Sequence, residues 1–218
     1  MRRRTRVLWA ILLALLVGPP ALLAAYRFLP PPGTPLMLVR AFQGLGTDYR
    51  WRPLLAISPH LARAVIASED NLFCRHWGFD LDALHGEIDR AIRGRRPRGA
   101  STITQQTAKN LLLWPGRDVA RKLAEAWLAP QLELVLGKRR ILELYLNVAE
   151  WAPGVYGAEA AAWHWYDKPA ADLTPREAAR LAVILPNPLH WTPKGQAGRA
   201  RSIERRVGQL GPLLDCAP

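Results

Sequence analysis

The chain is poor in cysteine, in acidic residues and in strand-like alternation. Cys74 and Cys216 are its only cysteines, and no paired C-x-x-C occurs, so a cysteine-bound zinc site or a dithiol redox centre has no ligands to be built from. A disulfide between the two is open outside the cytoplasm, but spacing does not show one, and two separate buried or free thiols are the expectation. Asp and Glu number 18 against 30 Lys and Arg, giving a formal net charge of +12. Such a surface seeks an anionic partner. There is no helix-turn-helix, zinc-finger or aromatic RNA-binding signature, which argues against nucleic acid. H-E-x-x-H, a Walker loop and a G-x-S-x-G elbow are also missing, and Gly44-Leu45-Gly46 lacks the third glycine of a dinucleotide fingerprint. No long internal repeat or low-complexity stretch is present.

What the chain does have begins at its N-terminus. Val7 to Tyr26 carries no charge, and at about 1.5 Å per residue it is roughly 30 Å long, the thickness of a bilayer's hydrocarbon. Arg2, Arg3, Arg4 and Arg6 ahead of it place the N-terminus on the cytoplasmic side and the remainder outside. Gly18-Pro19-Pro20 predicts a kink. A cleaved signal peptide is the rival reading, but Ala21, Ala24 and Ala25 lack A-x-A spacing, so a retained anchor is favoured. The expected organisation is a basic tail over 1–6, an anchor over 7–28, a spacer over 29–49 and one domain over 50–218. Without the four leading arginines the charge is still +8, by subtraction from +12, which beside a membrane points to phospholipid head groups or a phosphorylated lipid.

The densest stretch of chemistry is Glu69 to Asp80. Ser58 and Pro59 open a helix, with Leu61, Val65 and Ser68 on one face and Glu69 at its C-terminal end. Partial negative charge on the last carbonyls disfavours a second negative charge there, which with desolvation moves Glu69 toward a useful general base. The bland alternative is a surface Glu-Asp pair with His76 as a cap or core histidine. Further along, Asp80 can cap a helix through Leu81, Leu84, Ile88 and Ile92 that ends before Gly94. Arg90, Arg93, Arg95, Arg96 and Arg98 then crowd a loop, either a solvated face or a phosphate patch. Thr102 and Gln105 form a capping box, and Gln106 and Lys109 follow on a helix whose N-terminus attracts anions; an exposed polar face is the plain reading.

Asp118 can cap the next helix, with Val119, Leu123 and Ala126 on its apolar side. Arg121 and Lys122 lie at i−4 and i−3 from Glu125, the spacing of an ordinary helical ion pair. Pro130 is expected to kink or restart this helix. Ile141, Leu142, Tyr145, Val148 and Ala149 form a core stripe, and Gly154 and Gly157 mark a turn before a helix from Ala158. Thr174-Pro175-Arg176-Glu177 starts another, stopped by Pro186. Beyond Pro188 the chain is polar and basic.

Taken in order, five of these motifs resemble the peptidoglycan glycosyltransferase family, in its short, monofunctional, membrane-anchored form. They are Glu69-Asp70 through His76, Gly78 and Asp80; Gly99 through Asn110; Arg121-Lys122-Leu123-Ala124-Glu125; Arg140 through Asn147; and Gly157-Ala158-Glu159-Ala160-Ala161, followed by Glu177-Ala178-Ala179 and Leu185-Pro186-Asn187-Pro188. The resemblance spans about residues 50 to 190 and implies a mainly α, lysozyme-like fold with a small mobile lobe next to the membrane. It implies an inverting enzyme that polymerises lipid II, the undecaprenyl-diphosphate-linked disaccharide-pentapeptide, through β-1,4 bonds, with lipid II, the growing strand, the membrane and other cell-wall synthases as partners.

By the same resemblance Glu69 is the base and Glu125 a second catalytic carboxylate, which either holds a divalent cation, Mg2+ or Mn2+, on the diphosphate or orients the cations around it. Asp70, Phe73, His76, Ser101, Thr102, Gln106, Lys109, Arg117 and Arg121 are the implied substrate contacts. Ala124 stands where many relatives carry a larger residue, and Trp165-Tyr166 replaces a commoner Tyr-Phe pair. The end at Pro218 leaves no expected transpeptidase domain. A lytic glycan-cleaving enzyme and a non-catalytic membrane scaffold are the alternatives; lysis needs a general acid where this chain gathers cations.

Overall fold

The computed structural model describes residues 2–95, 99–116 and 118–218. Met1, residues 96–98 and Arg117 lie outside the described residues, as do the side chains of Arg2, Arg3, Arg4, Leu8, Ile11, Leu12 and Leu15. The expectations for Arg117 as a substrate contact, and for Arg96 and Arg98 in the basic loop, therefore fall outside it.

Helix α1 (Arg2–Tyr26) carries the apolar run and passes through Pro19 and Pro20. Among the described residues no helix is long and apolar enough to cross a membrane. The two ends of α1 differ: Val7, Trp9, Leu13, Leu16 and Val17 are exposed, whereas Leu23 is fully buried. Arg140 fixes the exit, donating from Nε to the Tyr26 carbonyl at 2.8 Å and from Nη2 to the Leu29 carbonyl at 2.7 Å. A short α2 (Pro35–Phe42), capped by Thr34, forms within the stretch 29–49 expected to be a spacer.

The core is built by α3 (Pro59–Glu69), α5 (Ile103–Leu112), α6 (Val119–Val148), α7 (Ala158–Tyr166), α8 (Pro175–Ala182) and α9 (Ala197–Leu210). In it α5 packs on α6, and α3 packs on both α8 and α9. Trp151, Tyr145, Tyr156 and Phe73 are its largest buried side chains. A small sheet of β1 (Asp48–Tyr49), β2 (Glu150–Ala152) and β3 (Val155–Tyr156) closes one end in the order β1-β3-β2, with β1 parallel and β2 antiparallel to β3.

Several start signals act as their spacing predicts. Thr102 and Thr174 form full capping boxes with Gln105 and Glu177, and Asp118 caps α6. Asp80 accepts from the Ala83 amide at 2.8 Å at the start of α4 (Leu81–Ile92). Three expectations need correction. Ser58 does not cap α3; its buried hydroxyl donates to the Leu173 carbonyl at 2.8 Å, tying α3 to the turn before α8. The break in α6 comes not at Pro130 but at Gly137, with φ +72° and ψ 165°. Proline's fixed φ is itself helical, while only glycine enters that left-handed region without penalty. The third concerns Cys74 and Cys216, which are not separate thiols: they form a disulfide with Cα atoms 5.6 Å apart across 142 residues of sequence.

The helix α9, for which the polar C-terminal stretch gave no expectation, buries Ala200 and Ile203. The apolar side chains of α4 point outward instead, with Leu81 61 % and Ile92 79 % exposed. Val119 and Leu123 at the start of α6 are exposed as well.

Candidate functional site

Glu69 ends α3 at the floor of a cleft, with a half-buried side chain. Ser68 donates to its Oε1 at 3.1 Å and Gln106 donates from Nε2 to its Oε2 at 3.2 Å. Burial pushes the Glu69 pKa above the ordinary carboxylate value, the charge of Asp70 adds to the rise, and the two hydrogen bonds and Lys109 pull against it. Desolvation is the largest of these causes.

A cavity of about 310 Å³ opens from Glu69, lined by Ser101, Gln106 and Lys109 from the second motif, by Arg121, Lys122 and Glu125 from α6, and by Leu185 and Pro186. A second cavity of about 290 Å³ shares Gln106, Lys109, Leu185 and Pro186, and a third of about 130 Å³ shares Glu69 and Ser101. The three form one continuous cleft with the carboxylate inside it.

Opposite Glu69 the cleft is cationic. Glu125 is only 3 % exposed; Arg121 donates from Nη1 to its Oε1, and Lys122 reaches its Oε2 at 2.7 Å and the Ser101 hydroxyl at 3.0 Å. Among the described residues, the buried Nε of Arg121 has no hydrogen-bond partner. A buried donor left unsatisfied is costly, and a ligand oxygen would satisfy it. Burial lowers the pKa of Lys122, and so do the neighbouring Arg121 and Lys109.

A divalent cation on the diphosphate would draw on one or two carboxylates together with phosphate oxygens and waters. The carboxylate of Glu125 here carries a guanidinium on one oxygen and an ammonium on the other. Among the described residues no cluster of three His, Cys, Asp or Glu side chains could hold a metal. The ion pair that the spacing of Glu125 suggests is present, and it serves the cleft by fixing two cations at its wall.

The remaining site candidates act behind the surface. Asp70 is 6 % exposed and accepts from the Ile103 amide at 2.8 Å, joining α3 to the start of α5. The Gly78 amide donates to His76 Nδ1 at 3.1 Å, so the proton sits on Nε2, which donates to Asp70 Oδ1 at 2.9 Å. Gly78 itself holds φ +84°, and a Cβ there would meet Ala129 of α6 at 3.2 Å, which is why this loop needs glycine. Phe73 is fully buried under the Lys138 ammonium, 4.6 Å from the ring centroid. Thr102 is spent on its capping box and on the Gly78 carbonyl at 2.7 Å. Asp70, Phe73, His76 and Thr102 thus form the frame that holds Glu69, and Asp70 and Thr102 also line the smallest of the three cavities. Gln106 is in the cleft but both ends of its amide are used, Nε2 by Glu69 and Oε1 by the Tyr145 hydroxyl at 3.0 Å. Ser101, Lys109 and Arg121 line the cleft as the motifs imply.

Ser68, Lys122 and Tyr145 were not among the site residues read from the sequence. The core stripe places Tyr145 on the buried face of α6 and so conceals its hydroxyl. Asn147 of the fourth motif and Glu159 of the fifth are scaffold: Asn147 brackets Arg52, accepting from its amide and donating to its carbonyl at 2.8 Å each, and Glu159 accepts from the Ala170 amide at 2.9 Å.

A family model described as Transglycosylase matches residues 38–210. A biosynthetic peptidoglycan transglycosylase of Caulobacter vibrioides is 48 % identical over 223 residues, covering 99 % of this chain and 97 % of that protein. The one from Rhodospirillum centenum is 51 % identical over 212 residues, covering 95 % and 90 %. In Ectopseudomonas mendocina the figures are 43 % over 221 residues, 97 % and 91 %. With both kinds of match running over most of its length, the chain belongs to the transglycosylase family.

Proposed function

We propose that the cleft joins lipid-linked disaccharides of peptidoglycan, with Glu69 as general base and the wall of cations as the seat of the leaving diphosphate. The chain is a glycosyltransferase enzyme that builds peptidoglycan glycan strands, as its relatives' names indicate, and the lytic and scaffold readings are not favoured. One observation carries the proposal: a single cavity brings Glu69 together with Lys109, Arg121 and Lys122.

The acceptor sugar's 4-hydroxyl gives its proton to Glu69 as its oxygen attacks the donor's anomeric carbon. The new C–O bond forms on one face, the bond to the diphosphate breaks on the other, and the carbon inverts. The electron pair leaves with the diphosphate, whose growing charge meets Lys109 and also Arg121 and Lys122, these last two preorganised by Glu125. The unpartnered Arg121 Nε is a donor suited to a phosphoryl oxygen. Glycosidic cleavage calls for a carboxylic acid at the leaving oxygen, whereas among the described residues the one carboxylate of this wall, Glu125, is ion-paired to Arg121 and Lys122.

Placement at the bacterial cytoplasmic membrane, with the domain outside, belongs to the same proposal. It is supported by the exposed apolar side chains on α1, by Phe28, Leu38 and Phe42 at 78 %, 64 % and 91 % exposure near its exit, and by the disulfide, which suits an oxidising compartment. Lipid II in bilayers, incubated with the full chain and with residues 29–218, is the test. Polymer from both, faster from the full chain, is expected, because tethering raises the effective concentration. Fragments of preformed glycan without polymer would refute the synthetic reading, and equal rates would refute the anchor.

A further inference from the structure

We infer that Tyr145 is a positioning residue for catalysis: its buried hydroxyl holds the Gln106 amide in the orientation that turns Nε2 toward Glu69. This rests on Glu69 as the base. The hydroxyl donates to Gln106 Oε1 at 3.0 Å, and Gln106 donates to Glu69 Oε2 at 3.2 Å. Tyr145 is 1 % exposed, so water does not stand in for it.

The direction of each bond follows from the far end. A carboxylate only accepts, so the amide must present N–H to Glu69 and its carbonyl to Tyr145, and the phenol must then donate. A phenol at ordinary pH has a proton to give. Burial, with Glu69 and Asp70 adding to it, raises the Tyr145 pKa well above the usual value, which keeps that proton in place across the working range.

Two consequences follow for the base. With Oε2 engaged by the amide and Oε1 reached by the Ser68 hydroxyl, the carboxylate is held in one plane facing the cavity. The amide N–H favours the charged, proton-accepting form against the burial that disfavours it. Remove the phenolic hydroxyl and the Gln106 carbonyl loses its partner, the amide is free to rotate, and the carboxylate can lose its donor. Other charges around Glu69 stay where they are: Asp70 beside it, Lys109 on α5, Arg121, Lys122 and Glu125 on α6, and Arg199 and Arg206 of α9 lining the cavity beyond Ser68.

The test is Tyr145→Phe in the full chain with lipid II in bilayers, following polymerisation from pH 5 to 9. The acidic limb of kcat/KM is expected to move up by about half a pH unit or more and kcat to fall roughly 3- to 30-fold, with KM little changed. Gln106→Leu should give the same shift, and the double variant no more than either single one. An acidic limb that stays in place in both variants, or losses that multiply in the double variant, would overturn the inference. If Tyr145→Phe does not fold, the limb in Gln106→Leu decides alone, since without the amide the proposed route to Glu69 is cut. Glu69→Gln run alongside separates the failures: an active Glu69→Gln removes the base itself, whereas an inactive one with an unmoved limb in the others removes only the role of Tyr145.

Discussion

Replacing Glu69 by glutamine should move activity and stability in opposite directions. The amide has the carboxylate's shape, can accept from Gln106 Nε2 through its own oxygen and can donate to the Ser68 hydroxyl, so both present hydrogen bonds find partners. It has no affinity for a proton in the working range. Loss of a positioned base costs about 10²-fold or more in rate, equivalent to about 2.7 kcal/mol of transition-state stabilisation. Stability runs the other way because the folded-state pKa of Glu69 is raised, chiefly by burial. A carboxyl group of this kind binds its proton more tightly folded than unfolded, so its favourable contribution is whole below the unfolded value near about pH 4.3 and is lost as pH rises through the folded one. At pH 8 the native enzyme carries a charge that its fold disfavours, and the glutamine variant does not. Polymer formation from lipid II measures the first effect, and chemical denaturation at pH 4 and pH 8 the second. The variant should be inactive and, relative to the native chain, more stable at pH 8 than at pH 4. Near-normal polymer would reject Glu69 as the base; a variant that loses ground as pH rises would reject the desolvated carboxylate.

Glu125→Gln should lower polymerisation roughly 10- to 100-fold by freeing Arg121 and Lys122, and the defect should not change with Mg2+ or Mn2+ concentration; rescue by either ion would put a metal at that carboxylate. Cys216→Ser should cost about 2–4 kcal/mol of stability, because the bridge to Cys74 closes a 142-residue separation. Coincident denaturation midpoints of the variant and the oxidised native chain would show that the tail is held by its other contacts alone, such as the Arg75–Asp215 ion pair at 2.9 Å.

What the sequence made legible was chemistry that depends on local spacing. Thr102 with Gln105, Thr174 with Glu177 and Asp118 before α6 are caps because a side chain three residues away reaches a free amide, and that geometry is nearly independent of the rest of the fold. Glu125 with Arg121 and Lys122 is of the same kind. The stripe of Ala200, Ile203, Val207 and Leu210 has helical spacing too, but four arginines between and beside them in α9 masked it. Which way a loop side chain faces is not local. Asp70 and His76 carry the marks of substrate contacts, charge and imidazole beside a catalytic glutamate, yet the close approach of Gly78 to α6 turns them inward onto each other and onto the Ile103 amide.

The same limit separates the two carboxylates at the end of α3. Glu69 and Asp70 are adjacent and chemically alike, but Glu69 has its two donors from a hydroxyl and an amide at the edge of a cavity, while Asp70 has a backbone amide and an imidazole inside the core. A group that must gain and lose a proton needs access to substrate and partners that leave it basic; a group that joins two helices needs neither. The cleft supplies that distinction by placing the cations of α6 across from Glu69. Asp70 lines only the smallest of the joined cavities and none of the cationic wall. The side chain that completes the arrangement, Tyr145, sits on a stripe whose period announces only burial. Its hydroxyl becomes functional through a partner 39 residues away, a relation fixed by the packing of α5 on α6.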